Sequence, residues 1–280
     1  TITIPAHRHD RRYPISFRAV FRDRVGYYPH MSKQSKTVVL TGASRGIGHA
    51  TVMRFSQEGW RIITCSRDAV PEACQRDPNW AIHIPTDLAD ENSVKAFIEQ
   101  ANDVIGDAPL NALVNNAAIS PKTPFKERLG CLNGDIDGWR KVYDLNLFAP
   151  IMLCRGFAAA LGRGAKAEGA SVVNITSIAG HAIHPFAGSA YSTSKSALSA
   201  LTRELAVEFA DLGVRVNAVA PGEIETEMIG EEYEPLINRI PMHRMGTPDE
   251  VAGCVYQLCS PDFGYVTGTE IFVTGGQHVY

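Results

Sequence analysis

The stretch "TVVLTGASRGIGHA" (37–50) constrains the fold more than any other. Val38, Val39 and Leu40 leave no polar face on the strand they form, so both sides must be covered, as in a parallel sheet. The chain then turns at once into a helical pattern, Ile47 to Glu58, through Gly42, Gly46 and Gly48. The same strand-then-helix rhythm repeats down the chain. Further strands are expected at "RIITC" (61–65), "AIHIP" (81–85), "LNALVN" (110–115), "ASVVNIT" (170–176), "VRVNAVA" (214–220) and "EIFV" (270–273). A helix is expected over Ser196 to Phe209, with Leu198, Leu201 and Leu205 on one stripe. The expected fold is therefore α/β, a doubly wound, mostly parallel seven-stranded sheet with helices on both faces, in a single domain.

Composition agrees with one large core: 280 residues, 45% hydrophobic, net charge −3. That charge gives no reason to expect nucleic acid or an anionic membrane as partner. No apolar run approaches the roughly 18 residues of a membrane span. Six cysteines are scattered without a Cys-x-x-Cys pair, which favours free thiols in a reducing cytoplasm. Residues 1–30 read differently: six Arg against two Asp and no useful periodicity, before "MSKQSKTVVL" opens the domain expected over 31–280. The segment is expected to be a poorly ordered upstream extension. An Arg-rich targeting peptide would carry more Ser and Ala, and an arm on a neighbouring subunit is the third reading.

A glycine turn between a first strand and a helix lets backbone N–H groups approach a diphosphate that a Cβ would hold away. The spacing is G-x-x-x-G-x-G, in the strand–turn–helix context that a dinucleotide site requires. No G-K-[ST] follows, which argues against a nucleotide triphosphatase. At the end of the second strand Ser66 and Arg67 stand where an NAD enzyme usually carries an acid against the ribose 2′-hydroxyl. Arg67 and Arg45 can bracket a 2′-phosphate by charge-assisted hydrogen bonds, so NADP(H) is the expected cofactor. Asp68, one residue on, would make NAD(H) possible after a small register change.

These residues resemble the short-chain dehydrogenase/reductase family. The resemblance runs from about residue 33 to the end, through "TGASRGIG" (41–48), "TDL" (86–88), "NNAA" (115–118), "DLN" (144–146), "TSIAG" (176–180), "YSTSK" (191–195), "PGEIETEM" (221–228) and "VTGTEIFVTGG" (266–276). It implies a catalytic tetrad of Asn146, Ser177, Tyr191 and Lys195. It implies that Asp87 meets the adenine and that Asn115 supports the central strand. Pro221 and Gly222 would line the nicotinamide side and Thr226 would hold its carboxamide. Ser44, Ile47, Leu88, Ala117 and Ile224 complete the implied cofactor contacts.

The chemistry is reasonable on its own terms. Tyr191 and Lys195 lie one helical turn apart on one face. Reducing a carbonyl leaves an alkoxide that needs a proton, and a positioned phenol supplies it. A free Tyr titrates near pH 10, so a neighbouring ammonium is expected to lower that value. Ser177 would donate to the developing oxyanion, and the resemblance implies that Asn146 anchors a proton-relaying water.

Several departures from the family pattern carry expectations. The spacing from Ser177 to Tyr191 is one residue longer than the family pattern, so 180–190 is expected to bulge toward substrate. The stretch 126–139 is expected to protrude. Thr274 replaces the usual Asp. His181 and His184 are in H-x-x-H spacing, but a lone pair on a loop is a poor metal site, and one of them is expected to shape the pocket. Asp211 and Leu212 weigh against an acyl-carrier-protein substrate; Arg163 and Lys166 leave it open. The expected partner is a small carbonyl or alcohol, with a homotetramer or homodimer implied by the resemblance. The competing function is a dinucleotide-binding sensor without chemistry, which typically lacks the Tyr or Lys.

Overall fold

Seven parallel strands form one sheet in the order β3-β2-β1-β4-β5-β6-β7. They are β1 (Thr37–Thr41), β2 (Arg61–Ser66), β3 (Trp80–Pro85), β4 (Ala112–Asn115), β5 (Ala170–Ile175), β6 (Val214–Pro221) and β7 (Glu270–Val273). This computed structural model describes residues 35–68, 77–123, 127–225 and 234–279. Residues 1–30, Cys74 and Thr226 lie outside them. Each strand falls within two residues of its expected bounds. β4 starts at Ala112 because Asn111 spends its side chain on a lead-in clamp, accepting from Thr37 N at 3.1 Å and donating to Gly169 O at 3.0 Å.

Alternation along β1 sorts the two cores. Val39 faces α2 (Glu91–Ile105), α4 (Ala149–Ala167) and α5 (Ser189–Glu208), with Phe97, Phe157 and Leu205 in the same cluster. Val38 and Leu40 face α1 (Gly46–Gln57) and, after the one-turn α6 (Glu234–Ile237), α7 (Pro248–Cys259), with Phe55 and Leu258. The order reverses between β1 and β4, so the crevice beyond their carboxyl ends is the natural ligand position of such a sheet.

Helix starts separate scaffold from site. Asp90 caps α2, Asp135 caps α3 (Ile136–Tyr143) and Thr247 caps α7 in a capping box with Glu250. α1 has no side-chain cap and no acid in its first turn, which leaves its first N–H groups for a ligand at the crevice.

Three expectations are refined. The helix expected over Ser196 to Phe209 runs from Ser189 to Glu208 and so includes the turn on which Tyr191 and Lys195 were paired; its first residues are small and polar and add nothing to the apolar stripe. The stretch expected to protrude is exposed at Cys131, Leu132 and Asn133, and it is anchored on either side. Leu129 is buried and its carbonyl accepts from Ser189 N at 2.8 Å, while α3 begins at Ile136. Finally, α3 runs through a π-turn (Asp144–Phe148) into α4, and this Ile136–Ala167 helix is long and apolar enough to cross a membrane. Half of its apolar window is buried inside the fold, where Leu153, Phe157 and Leu161 pack under the sheet.

Candidate active site

A cavity of about 450 Å³ lies over the crevice. Its wall includes Gly42, Ser44, Arg45, Ile47, Gly48, Ser66, Arg67, Leu88, Ala117, Ser177, Tyr191, Lys195, Pro221, Gly222 and Ile224 among the predicted residues. At the glycine end the backbone is packed to contact. A Cβ on Gly48 would stand 2.0 Å from the Gly42 carbonyl oxygen, so only glycine fits. Gly46, at φ +54°, starts α1 and is not on the wall. Arg45, Arg67 and Asp68 are all exposed at this end. The Asp68 carbonyl is pinned by Ser66 Oγ at 2.5 Å. The surface suits an extended diphosphate-bearing dinucleotide: glycine backbone, an uncapped helix start and two guanidinium groups.

Two predicted contacts sit elsewhere. Asn115 points into the sheet, donating to Asn174 Oδ1 at 2.8 Å; it supports the strand without reaching the cavity. Its neighbour Asn116 does the work there, donating to the Thr41 and Gly42 carbonyls at 3.0 Å each. Asp87 turns back on its own loop, accepting from Ala89 N at 3.0 Å, and Thr86 and Leu88 take the wall on either side.

The other end is built from side chains. α5 presents Tyr191 and Lys195 from one face, and Ser177 follows β5. Lys195 is buried, donates from Nζ to the Ile175 carbonyl at 2.5 Å, and burial pushes its pKa down to about 7. Burial likewise pushes the Tyr191 phenol up; a hydrogen bond with Ser177 pulls the other way, and the charge of Glu223 adds to the rise. The expected lowering of Tyr191 by Lys195 is therefore not present here: the ammonium is turned to a carbonyl and is itself weakened by desolvation.

Asn146 lies in the π-turn, a helix defect that recurs at functional sites. Its amide donates to Ile119 O at 3.1 Å and Ser194 Oγ at 3.0 Å, and its oxygen accepts from Ile119 N at 2.9 Å. It ties the β4 loop to the turn of α5 that carries Lys195.

The two loop histidines diverge to different carboxylates. His181 Nε2 meets Glu270 at 2.9 Å, and His184 Nε2 meets Glu223 at 2.6 Å. No group of three or more metal-ligating side chains occurs among the described residues. Glu223 itself escaped the sequence reading, although an acid directly after "PG", two residues past the apolar strand β6, was the signal. Thr274, the other departure, bonds His278 Nδ1 at 2.7 Å.

Comparison with known proteins agrees with this geometry. A family model described as enoyl-(acyl carrier protein) reductase matches residues 42–278. The chain is 49% identical to a protein FixR of Bradyrhizobium diazoefficiens over 88% of each. It is 36% identical to a galactitol 2-dehydrogenase (L-tagatose-forming) of Cereibacter sphaeroides, over 86% of this chain and 94% of that one. It also matches a crystal structure of a short-chain oxidoreductase from Brucella ovis in complex with a partially ordered NAD. That match has a TM-score of 0.73 and 46% identity over 86% of this chain and 100% of that one. With cradle, Ser, Tyr and Lys on one wall and relatives matched along nearly their whole length, the chain belongs to the short-chain dehydrogenase/reductase family of oxidoreductases acting on CH–OH groups.

Proposed function

We propose that the protein is an NADP(H)-dependent oxidoreductase that interconverts a small carbonyl compound and its secondary alcohol. The observation that carries this reading is that Ser177, Tyr191 and Lys195 share one cavity with the glycine cradle. When bound, the dinucleotide supplies or accepts the hydride. Tyr191 gives the proton to the carbonyl oxygen, or takes it from the alcohol, as general acid or base. Ser177 donates to the same oxygen as charge develops. Lys195, with a pKa of about 7, changes charge near neutral pH beside the Tyr191 ring, 5.7 Å from its centroid. Asn146 holds α5 in register through Ser194, and the water relay implied by the family would start from there.

NADP(H) is favoured over NAD(H) because two guanidinium groups, Arg45 and Arg67, face one carboxylate, Asp68, at the glycine end. Arg163 speaks against an acidic protein partner, since its guanidinium already donates to the Gly106 and Ala108 carbonyls. A homodimer or homotetramer is expected, to be checked by light scattering. The reducing cytoplasm suits the buried thiols of Cys65, Cys154 and Cys259, each pushed up to about 12 by burial.

The test is consumption of NADPH and of NADH against a carbonyl panel, with Tyr191→Phe as control. Turnover with NADPH that disappears in the variant is expected. Cofactor binding without turnover on any compound would turn the reading toward a sensor.

A further inference from the structure

Glu223 is buried, 8% exposed, yet its side chain stands on the cavity wall with Tyr191 and Ser177. Its backbone is clamped. Gly246 N donates to the Glu223 carbonyl at 2.9 Å and Glu225 N donates to the Gly246 carbonyl at 2.8 Å, closing a parallel bridge. One carboxylate oxygen, Oε1, accepts from His184 at 2.6 Å and from Gln277 Nε2 at 3.5 Å. The other, Oε2, makes no hydrogen bond among the described residues.

The histidine does not neutralise this carboxylate. His184 Nδ1 accepts from the N–H groups of both Phe186 and Ala187, each at 3.2 Å. A nitrogen that receives two donors carries no proton, so the ring's one proton is on Nε2, facing Glu223, and the imidazole is neutral. The pair keeps the full negative charge of the carboxylate. Oε1 is occupied in this way, while Oε2 accepts from no described residue, on a wall that Glu223 shares with Tyr191 and Ser177.

We infer that Glu223 reads the substrate: Oε2 accepts a hydrogen bond from a hydroxyl on the carbon next to the reacting one, so the enzyme takes vicinal diols and α-hydroxy ketones, the chemistry of polyols. This rests on the oxidoreductase reading above. A carboxylate-bearing substrate would be repelled by Glu223, and a cationic one would meet Lys195 on the same wall. A neutral hydroxyl meets neither penalty. The recognised hydroxyl keeps its proton throughout; only the neighbouring C–H and O–H bonds are broken in the oxidation, toward the dinucleotide and Tyr191 respectively.

The probes are cis-1,2-cyclohexanediol and cyclohexanol, which differ by the one hydroxyl. With the dinucleotide-loaded wild type, kcat/KM should favour the diol by roughly 10- to 100-fold, the value of one hydrogen bond to a charged acceptor. Glu223→Gln puts an N–H₂ donor where the acceptor was and should bring the ratio close to one. Glu223→Leu should do the same, with thermal melting to verify that each variant folds. Calorimetry gives a readout without turnover: Tyr191→Phe should still bind the diol in preference, and Glu223→Gln should not. An unchanged diol preference in the Glu223 variants, or no preference in the wild type by either measurement, overturns the inference. Glu223-dependent diol binding with no turnover of either probe would sink the oxidoreductase reading and leave the recognition by Glu223 standing.

Discussion

The two ends of the cavity are built by different means. At the glycine end the floor is backbone, made by strand β1, a turn too tight for any Cβ at Gly48 and the bare start of α1, with the Arg45 and Arg67 side chains at its rim. At the tyrosine end it is side chains brought from β5, α5, the end of β6 and the C-terminal turn, held by hydrogen bonds to one another. The first can be specified by a dozen consecutive residues. The second exists only when four distant segments have already folded, so its chemistry is open to change without disturbing the cradle.

That contrast can be broken by two substitutions with opposite expected outcomes. Tyr191→Phe should lower kcat by about 10²–10⁴-fold, the usual worth of a general acid, with dinucleotide affinity close to wild type by fluorescence titration. Gly48→Ala should do the reverse in order: affinity falls by roughly 100-fold, since the methyl must displace the Gly42 carbonyl 2.0 Å away, and kcat at saturating cofactor changes less. If Tyr191→Phe also loses the cofactor, or Gly48→Ala binds normally, the two ends are not separable.

Legibility in the sequence follows the same division. The strands were readable because both faces of β1, β5 and β6 are covered, which writes continuous Val, Ile and Ala runs into the chain. The cradle was readable because close approach demands glycine at fixed offsets. The exact start of α5 at Ser189 was not, although the Tyr191–Lys195 pairing already implied helix there, since Gly188 and the Leu129 carbonyl set it through a contact 59 residues apart in sequence that leaves no local period. Nor was the π-turn under Asn146, whose extra residue is invisible to a 3.6-residue count. Asn115 supports the central strand as expected, but its neighbour Asn116, just past the end of β4, is the one that reaches the cavity wall, and no pattern in the sequence separates the two.

The tyrosine end also costs stability, and Lys195 measures how much. Its folded pKa of about 7 lies below the ordinary lysine value of 10.5. The unfolded chain therefore binds the extra proton, and folding becomes more favourable as pH rises from about 7 toward 10. Lys195→Met removes that liability. The variant should be more stable than wild type at pH 7 by up to about 4 kcal/mol, less the lost Nζ–Ile175 hydrogen bond, with the gap closing toward pH 10. Urea unfolding at pH 7, 8.5 and 10 reads it. A variant less stable at pH 7 would mean that the ammonium is well solvated and that the backbone bond outweighs burial.

The smallest effect discriminates most finely, because it depends on the charge state of the His184–Glu223 pair. The negative charge of Glu223 disfavours the Tyr191 phenolate, behind burial and against the Ser177 hydrogen bond. Removing that charge lets the phenol ionise at lower pH. In the oxidation direction, where Tyr191 must act as base, the rising limb of kcat/KM should therefore move toward acid in Glu223→Gln. Cyclohexanol is the substrate to use, since it lacks the hydroxyl that Glu223 would recognise. His184→Gln should leave the limb nearly in place, because the neutral ring contributes orientation and no charge. An acidward shift in Glu223→Gln with none in His184→Gln places a bare carboxylate beside the reacting phenol. The limb moving in neither variant would mean that the carboxylate is already neutralised, and a protonated ring at His184 would then break the tautomer set by Phe186 and Ala187.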